Sequence, residues 1–165
     1  MNKPVRPILD EAQAAFIAGP VSINVASCSS ERVPSVVRAH GCRVSDDLSH
    51  VTVFVSTRRA EAVLRDVRAG GAIAVVFSLP HTHETLQLKG TNASIVPLEA
   101  GDAQLIKQYA EGFINEVRGL GHTLSLAGAV MSSVNEDSLG LLFAPSAAFL
   151  QTPGPRAGQR LEPKP

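Results

Sequence analysis

The sequence predicts a mainly β chain in which about six strands form an antiparallel barrel with about three helices packed outside it. Three observations carry that prediction. Val21 to Ser27 (V-S-I-N-V-A-S) and His50 to Ser56 (H-V-T-V-F-V-S) alternate as half-buried strands do. Three other stretches switch to the helical period, with apolar residues three and four apart. Tight turns join most of the strands, and the βαβ alternation of a doubly wound sheet is missing.

Each element has its own signals. Pro7 to Ala18 reads as the first helix: Pro7 suits a first turn, Asp10 and Glu11 favour the positive end, and Ile8, Ala12 and Phe16 recur on one side. Gly19-Pro20 stops it. Val21 to Ser27 follows as a strand. After the turn Ser29-Ser30-Glu31-Arg32, Pro34 to Val44 is the second strand, with a bulge or bend at Gly41. His50 to Ser56 is the third and the most β-prone. Ala60, Val63, Leu64 and Val67 then share one helical face, Glu61 is spaced to pair with Arg65, and Gly70-Gly71 end the helix. Ala72 to Leu79 is nearly continuous in apolar residues, as a strand covered on both faces would be. Pro80 to Thr82 makes a turn, and Glu84 to Val96 is expected as one long strand. The third helix spans about Asp102 to Arg118, with Ile106, Tyr109, Ala110, Phe113 and Val117 on one side, and Gly119 and Gly121 break it. Leu139 to Gln151 is the last strand, broken or bent at Pro145. Residues 1–152 thus read as one domain, and 153–165, rich in Pro and Gly, as a tail.

Composition narrows the function. A length of 165 residues suits one domain with a real core. With 44% hydrophobic against 18% charged residues, the chain is not a disordered one. The 15 Lys+Arg balance 15 Asp+Glu, which argues against a broad nucleic-acid-binding surface. No apolar run approaches the ~18 residues of a membrane span. Met1 to Asp10 lack the apolar stretch of a signal peptide, so the cytosol is the expected compartment. Low surface charge favours self-association. If the turn after Cys28 closes a hairpin, Cys28 lies near Pro34 and Cys42 near Pro20. The sulfurs would then be about 25 Å apart, which excludes a disulfide and suggests two buried thiols.

The most informative junction is Val55-Ser56-Thr57-Arg58-Arg59, where a strand hands over to a helix. A helix start exposes unpaired N–H groups and partial positive charge, Ser56 and Thr57 add hydroxyls, and two arginines add fixed charge. Such a junction can hold a phosphate. It can equally be a Thr57 helix cap followed by solvated arginines. Arg65 and Arg68 add to the positive charge around the same helix. Thr85, Gln87 and Lys89 share one face of the next long strand and could face a ligand or water. Arg38, in the apolar run Val36-Val37-Arg38-Ala39, needs either an anion or the exposed face.

The order P-S-V-V-R, V-F-V-S-T-R-R, a helix, A-I-A-V-V-F and then L-Q-L-K-G resembles the pyridoxamine 5′-phosphate oxidase superfamily of flavin-binding split barrels. The likeness covers roughly Pro20 to Val96, with an echo in Q-T-P-G-P at Gln151 to Pro155. It implies a six-stranded split barrel and a flavin mononucleotide (FMN) lying across a homodimer interface. It also implies that Ser56, Thr57, Arg58 and Arg59 hold the phosphate, and that Arg38, Thr85 and Gln87 line the cofactor. The departures are specific. Arg59 stands where the family often has Lys, Glu84-Thr85 stand where it has Arg-Gln, and Gly70-Gly71 replace its Asn-Pro. The C-terminal Arg-x-His motif and the late tryptophan of true pyridoxamine phosphate oxidases have no match, which argues against that reaction.

The expectation is therefore an FMN-binding flavoprotein, a flavin-dependent oxidoreductase on a small molecule with no side chain nominated as catalytic. A deazaflavin would present a phosphate to the same arginines. Two alternatives stand beside it. One is a haem-binding or haem-degrading split barrel, with His40, His50 or His122 as axial ligand. The other is a non-catalytic cofactor-binding or regulatory module. His81-Thr82-His83-Glu84 is the one cluster with metal-ligand character, and it lacks a third ligand unless His50 or His122 supplies one. No metal is expected.

Overall fold

The computed structural model describes residues 7–123, 125, 128 and 137–162. In chain order its elements are α1 (Glu11–Ile17), β1 (Ser22–Cys28), β2 (Pro34–Val44), β3 (Val51–Ser56), α2 (Glu61–Gly70), β4 (Ile73–Ser78), β5 (Thr85–Gly90), β6 (Ser94–Val96), α3 (Asp102–Gly119), β7 (Ser138–Phe143), β8 (Ala147–Leu150) and β9 (Arg160–Leu161). The chain is mainly β with three helices among the described residues, and every strand pair is antiparallel.

The strands form one nine-stranded sheet in the order β6-β7-β3-β2-β1-β4-β5-β8-β9, whose end strands do not pair with each other. The expected strand count of six is thereby corrected. The stretch 84–96 is not one strand: it breaks at Thr91-Asn92-Ala93, and β5 and β6 lie in different halves of the sheet. The stretch 139–151 breaks likewise at Ala144-Pro145-Ser146, where proline cannot donate to a ladder. The Pro/Gly-rich segment returns as β9 against β8, with Ala148 opposite Leu161. Two halves result, β6-β7-β3-β2 and β2-β1-β4-β5-β8-β9, which share β2.

That shared strand bends where the sequence placed a bend. The β2–β3 register shifts between Ala39 and Cys42, and Gly41 has φ 111°, a value that favours glycine. A Cβ there would lie 3.1 Å from Tyr109 Cβ of α3 and 3.7 Å from Phe54, so the bulge also lets the helix approach.

Inner-face residues make the core: Ile23 and Val25 of β1, Val53 and Val55 of β3, Val75 and Phe77 of β4, Leu88 of β5 and Leu141 of β7 are all fully buried. α2 packs Val63, Leu64 and Val67 into this core, and inner-face Ser27 donates its hydroxyl to Asp66 of α2 at 2.7 Å. α1 is shorter than expected. Asp10 caps it, accepting the Gln13 N–H at 2.8 Å while Gln13 Oε1 accepts the Asp10 N–H at 3.0 Å, which leaves Pro7 outside. Its most buried residue is Ile17, whereas Ala12 is exposed.

α3 crosses the outer face of β2 and is tied at three points. Arg43 Nε donates to buried Asp102 Oδ1 at 2.9 Å, the Tyr109 hydroxyl donates to the Val21 carbonyl at 2.8 Å, and Glu116 meets His81 of the β4–β5 turn. None of the described helices is long and apolar enough to cross a membrane.

Candidate functional site

Strand register brings the candidate residues onto one face. Val55 pairs with Ala39, so Ser56 and Arg38 are neighbours on the outer face of β3 and β2. Arg38 then pairs with Asn24, Asn24 with Val76, Val76 with Gln87, and Gln87 with Phe149. Ser56, Arg38, Asn24 and Gln87 therefore belong to a single cross-strand row. Three interstrand steps separate Arg38 from Gln87, about 14 Å.

At one end of the row β3 runs into the turn before α2. Ser56 is fully buried, and its Oγ lies 3.4 Å from the Arg59 N–H it accepts. Thr57 does not cap the helix: its N–H and hydroxyl both donate to the Asp137 carbonyl, at 2.9 and 3.2 Å. α2 begins instead behind Ala60, with no side-chain cap, so its first-turn N–H groups are left to other acceptors. Arg58 and Arg59 stand exposed beside this uncapped end. Glu61, also exposed, contributes the opposing charge in the first turn.

Arg38 is held on both sides by its own chain. Nη1 donates to Ser22 Oγ at 3.2 Å, and the guanidinium carbon sits 4.5 Å from the centre of the Phe113 ring, which stacks in turn on Tyr109. Nε and Nη2 are buried and find no hydrogen-bond partner among the described residues. A guanidinium with two idle donors in a sheltered place asks for an acceptor.

Further along the row, Gln87 Oε1 accepts the Gln151 amide at 3.3 Å. Thr85 uses its hydroxyl within the protein, 2.8 Å from Ser78 Oγ and 3.0 Å from the His83 carbonyl. Lys89 lies on the same face with Nζ 5.0 Å from the Phe149 ring centre. Ser22, Asn24 and Asp137 were not singled out in the sequence, and Gln151 entered only through the Q-T-P-G-P echo. The alternation in β1 puts Ser22 and Asn24 on one face, but only the register of β1 against β2 and β4 shows that they join this row.

The other candidates separate. Cys28 is exposed, which corrects the expectation of two buried thiols: the alternation that buries Ser27 turns its neighbour outward. Cys42 is buried, donates to the Ile17 carbonyl at 3.2 Å, and has its thiol pushed up to about 12 by burial, so it stays protonated and unreactive near neutrality. His40 is fully buried, while His50, His81, His83 and His122 are exposed. Among the described residues no three His, Cys, Asp or Glu side chains gather into a metal-binding group.

Two sheet halves share one bent strand, and solved structures with a similar fold include pyridoxamine 5′-phosphate oxidase-like proteins. Three solved structures carry the comparison. HupZ of Group A Streptococcus is 16% identical and aligns over 91% of this chain and 99% of its own, with a TM-score of 0.54. A proposed pyridoxamine 5′-phosphate oxidase of Lactobacillus delbrueckii is 16% identical, over 88% and 96% of the two chains, with a TM-score of 0.53. An F420 reductase is 15% identical, over 85% and 98%, with a TM-score of 0.52. No family model and no curated protein matches the sequence. At these identities the likeness is one of fold.

Proposed function

We propose that this chain is an FMN-binding flavoprotein that works as a homodimer, with the cofactor along the Ser56–Arg38–Asn24–Gln87 row and a second copy closing over it. The observation that carries the reading is Arg38, whose two partnerless guanidinium nitrogens lie in register between the Ser56 turn and Gln87. Those residues fit a phosphate-bearing ring system. Arg58 and Arg59, beside the uncapped start of α2, would hold the phosphate, and Arg38 and Gln87 would orient the ring. Thr57 would act indirectly, through its bonds to Asp137, by fixing the turn. The flavin, when bound, supplies hydride or electron transfer to a small molecule, and the protein supplies binding, orientation and exclusion of water.

The dimer has its own support. Val36 is 71% exposed on the outer face, beside the half-buried Ala26, Ala74, Val76 and Phe149. An apolar sheet face of this kind suits burial against a second copy.

The test combines absorbance, fluorescence titration with FMN, and gel filtration. The wild-type protein is expected to take up FMN as a dimer. Arg58→Ala with Arg59→Ala should weaken binding about 100-fold, the worth of one or two charge-assisted bonds. A protein that stays colourless in excess FMN, or that binds it equally well without both arginines, overturns the reading.

A further inference from the structure

The turn between β4 and β5 carries chemistry that the flavin reading leaves unused. His81 stands in that turn and Glu116 faces it from α3. One oxygen of Glu116, Oε1, accepts the His81 backbone N–H at 3.2 Å and also meets the ring at Nδ1. An ionised carboxylate only accepts, so Nδ1 carries the imidazole proton and Nε2 carries the lone pair. The His81 side chain is 53% exposed and that of Glu116 only 14%, so the ring keeps an open edge while its orienting carboxylate is sheltered.

Beside the pair lies a groove of about 470 Å³. Gly112, Asn115, Glu116 and Gly119, on one face of α3, form its floor, and His81 and Leu120 complete it. Glycine is a costly residue in a helix. Packing demands neither of these two: a Cβ at Gly119 would meet nothing within 4 Å, and one at Gly112 only Pro20 Cβ at 3.4 Å. Both glycines leave bare backbone next to the imidazole, which gives a small ligand room. Among the described residues the lining holds no serine or cysteine, and the imidazole is the reactive group.

We propose that His81, oriented by Glu116, accepts acyl groups from small activated esters and passes them to water, an activity independent of any flavin. The Nε2 lone pair adds to the ester carbonyl carbon, and the carbon–oxygen bond to the leaving group breaks to release the phenolate. The acyl-imidazole is cationic at that stage, and the Nδ1 proton stays shared with Glu116. Water then adds to the acyl carbon, the carbon–nitrogen bond breaks, carboxylic acid leaves with Nε2 restored, and the water's other proton passes to solvent, where it neutralises the phenolate. The sum is ester plus water giving acid plus phenol, with no change of oxidation state. His81 is the catalytic residue here and Glu116 a positioning residue.

The probe is p-nitrophenyl acetate with the full chain, followed by nitrophenolate release. The wild-type rate should saturate with ester. H81Q should lower it at least about tenfold, E116Q several-fold, and E116D should recover much of the loss. His50, His83 and His122 are exposed histidines of the same molecule, so H50Q, H83Q and H122Q serve as internal standards and should leave the rate unchanged. A rate that survives H81Q, or that falls as far in H83Q, overturns the proposal. Long-range proton–nitrogen spectra of the imidazoles give a second readout that does not depend on any variant folding. His81 protonated at Nδ1 supports the dyad, and His81 protonated at Nε2 sinks it.

Discussion

Cys42 sits where β2 recovers from its bulge, and its environment makes a pH prediction. Burial pushes its thiol from 9.0 up to about 12, and burial likewise raises Tyr109 from 10.0 to about 12. Between pH 9 and 12 the unfolded chain loses these protons while the folded chain keeps them. Their contribution is thus fully present below about pH 9 and is lost as pH rises toward 12. For Cys42 alone the loss is on the order of 4 kcal/mol across that window. Cys42→Ala should flatten the alkaline fall in the urea midpoint by about one proton's worth of slope. An unchanged slope would show that the thiol is not the group responsible. Single residues were unevenly legible in the sequence. Arg38 was recognisable as a charge in an apolar strand, because that contrast is local. Its partners Ser22 and Phe113, 16 and 75 positions away, were not, because only strand pairing and the seat of α3 bring them near.

Among the elements, β7 is the most tightly confined. It runs between β3 and β6, with Gly140 opposite Phe54 on one side and Val96 on the other. A Cβ at Gly140 would come within 2.7 Å of Thr52 Cγ2 and 2.8 Å of Val96 Cγ2. Gly140→Ala should therefore destabilise the fold by about 1–3 kcal/mol, measured by urea denaturation. A neutral substitution would mean that β6 is free to move aside. The periodicity that identified β1, β3 and both longer helices, and the apolar run that identified β4, are properties of short windows, which is why those elements were readable. Pro145 announced the break inside 139–151, whereas the break inside 84–96 was missed because β-prone residues stand on both sides of Gly90-Thr91-Asn92. The chain leaves one half of the sheet for the other there, and no single window records which strand it will meet next. The same limit applied to the candidate site. Ser56 through Arg59 announced themselves by composition, but the row that links them to Gln87 exists only through five strands in register.

For the molecule as a whole, a formal charge of zero conceals an uneven distribution: Arg58 and Arg59 stand exposed at one end of the row, and Arg43 is absorbed by Glu99 and Asp102 under α3. The split itself has a consequence for how the molecule assembles. β1 to β3 are consecutive hairpins whose loops close over a few residues. The pairing of β3 with β7, by contrast, joins Val51 to Phe143 across a gap that contains α2, α3 and three other strands. Closing so long a loop costs chain entropy before any contact repays it. The local hairpins β1-β2-β3 and β4-β5 should thus acquire protection early during refolding, and β7 with β6 late. Pulse-labelled hydrogen exchange resolves that order, and amides of Leu139 to Leu142 protected as early as those of Val25 and Val75 would refute it. A chain of this design commits to its local hairpins while the Ser56 turn is still unanchored, because Asp137, which holds Thr57, arrives only with β7. The turn that reads most plainly in the sequence is among the last parts of the molecule to take its final shape.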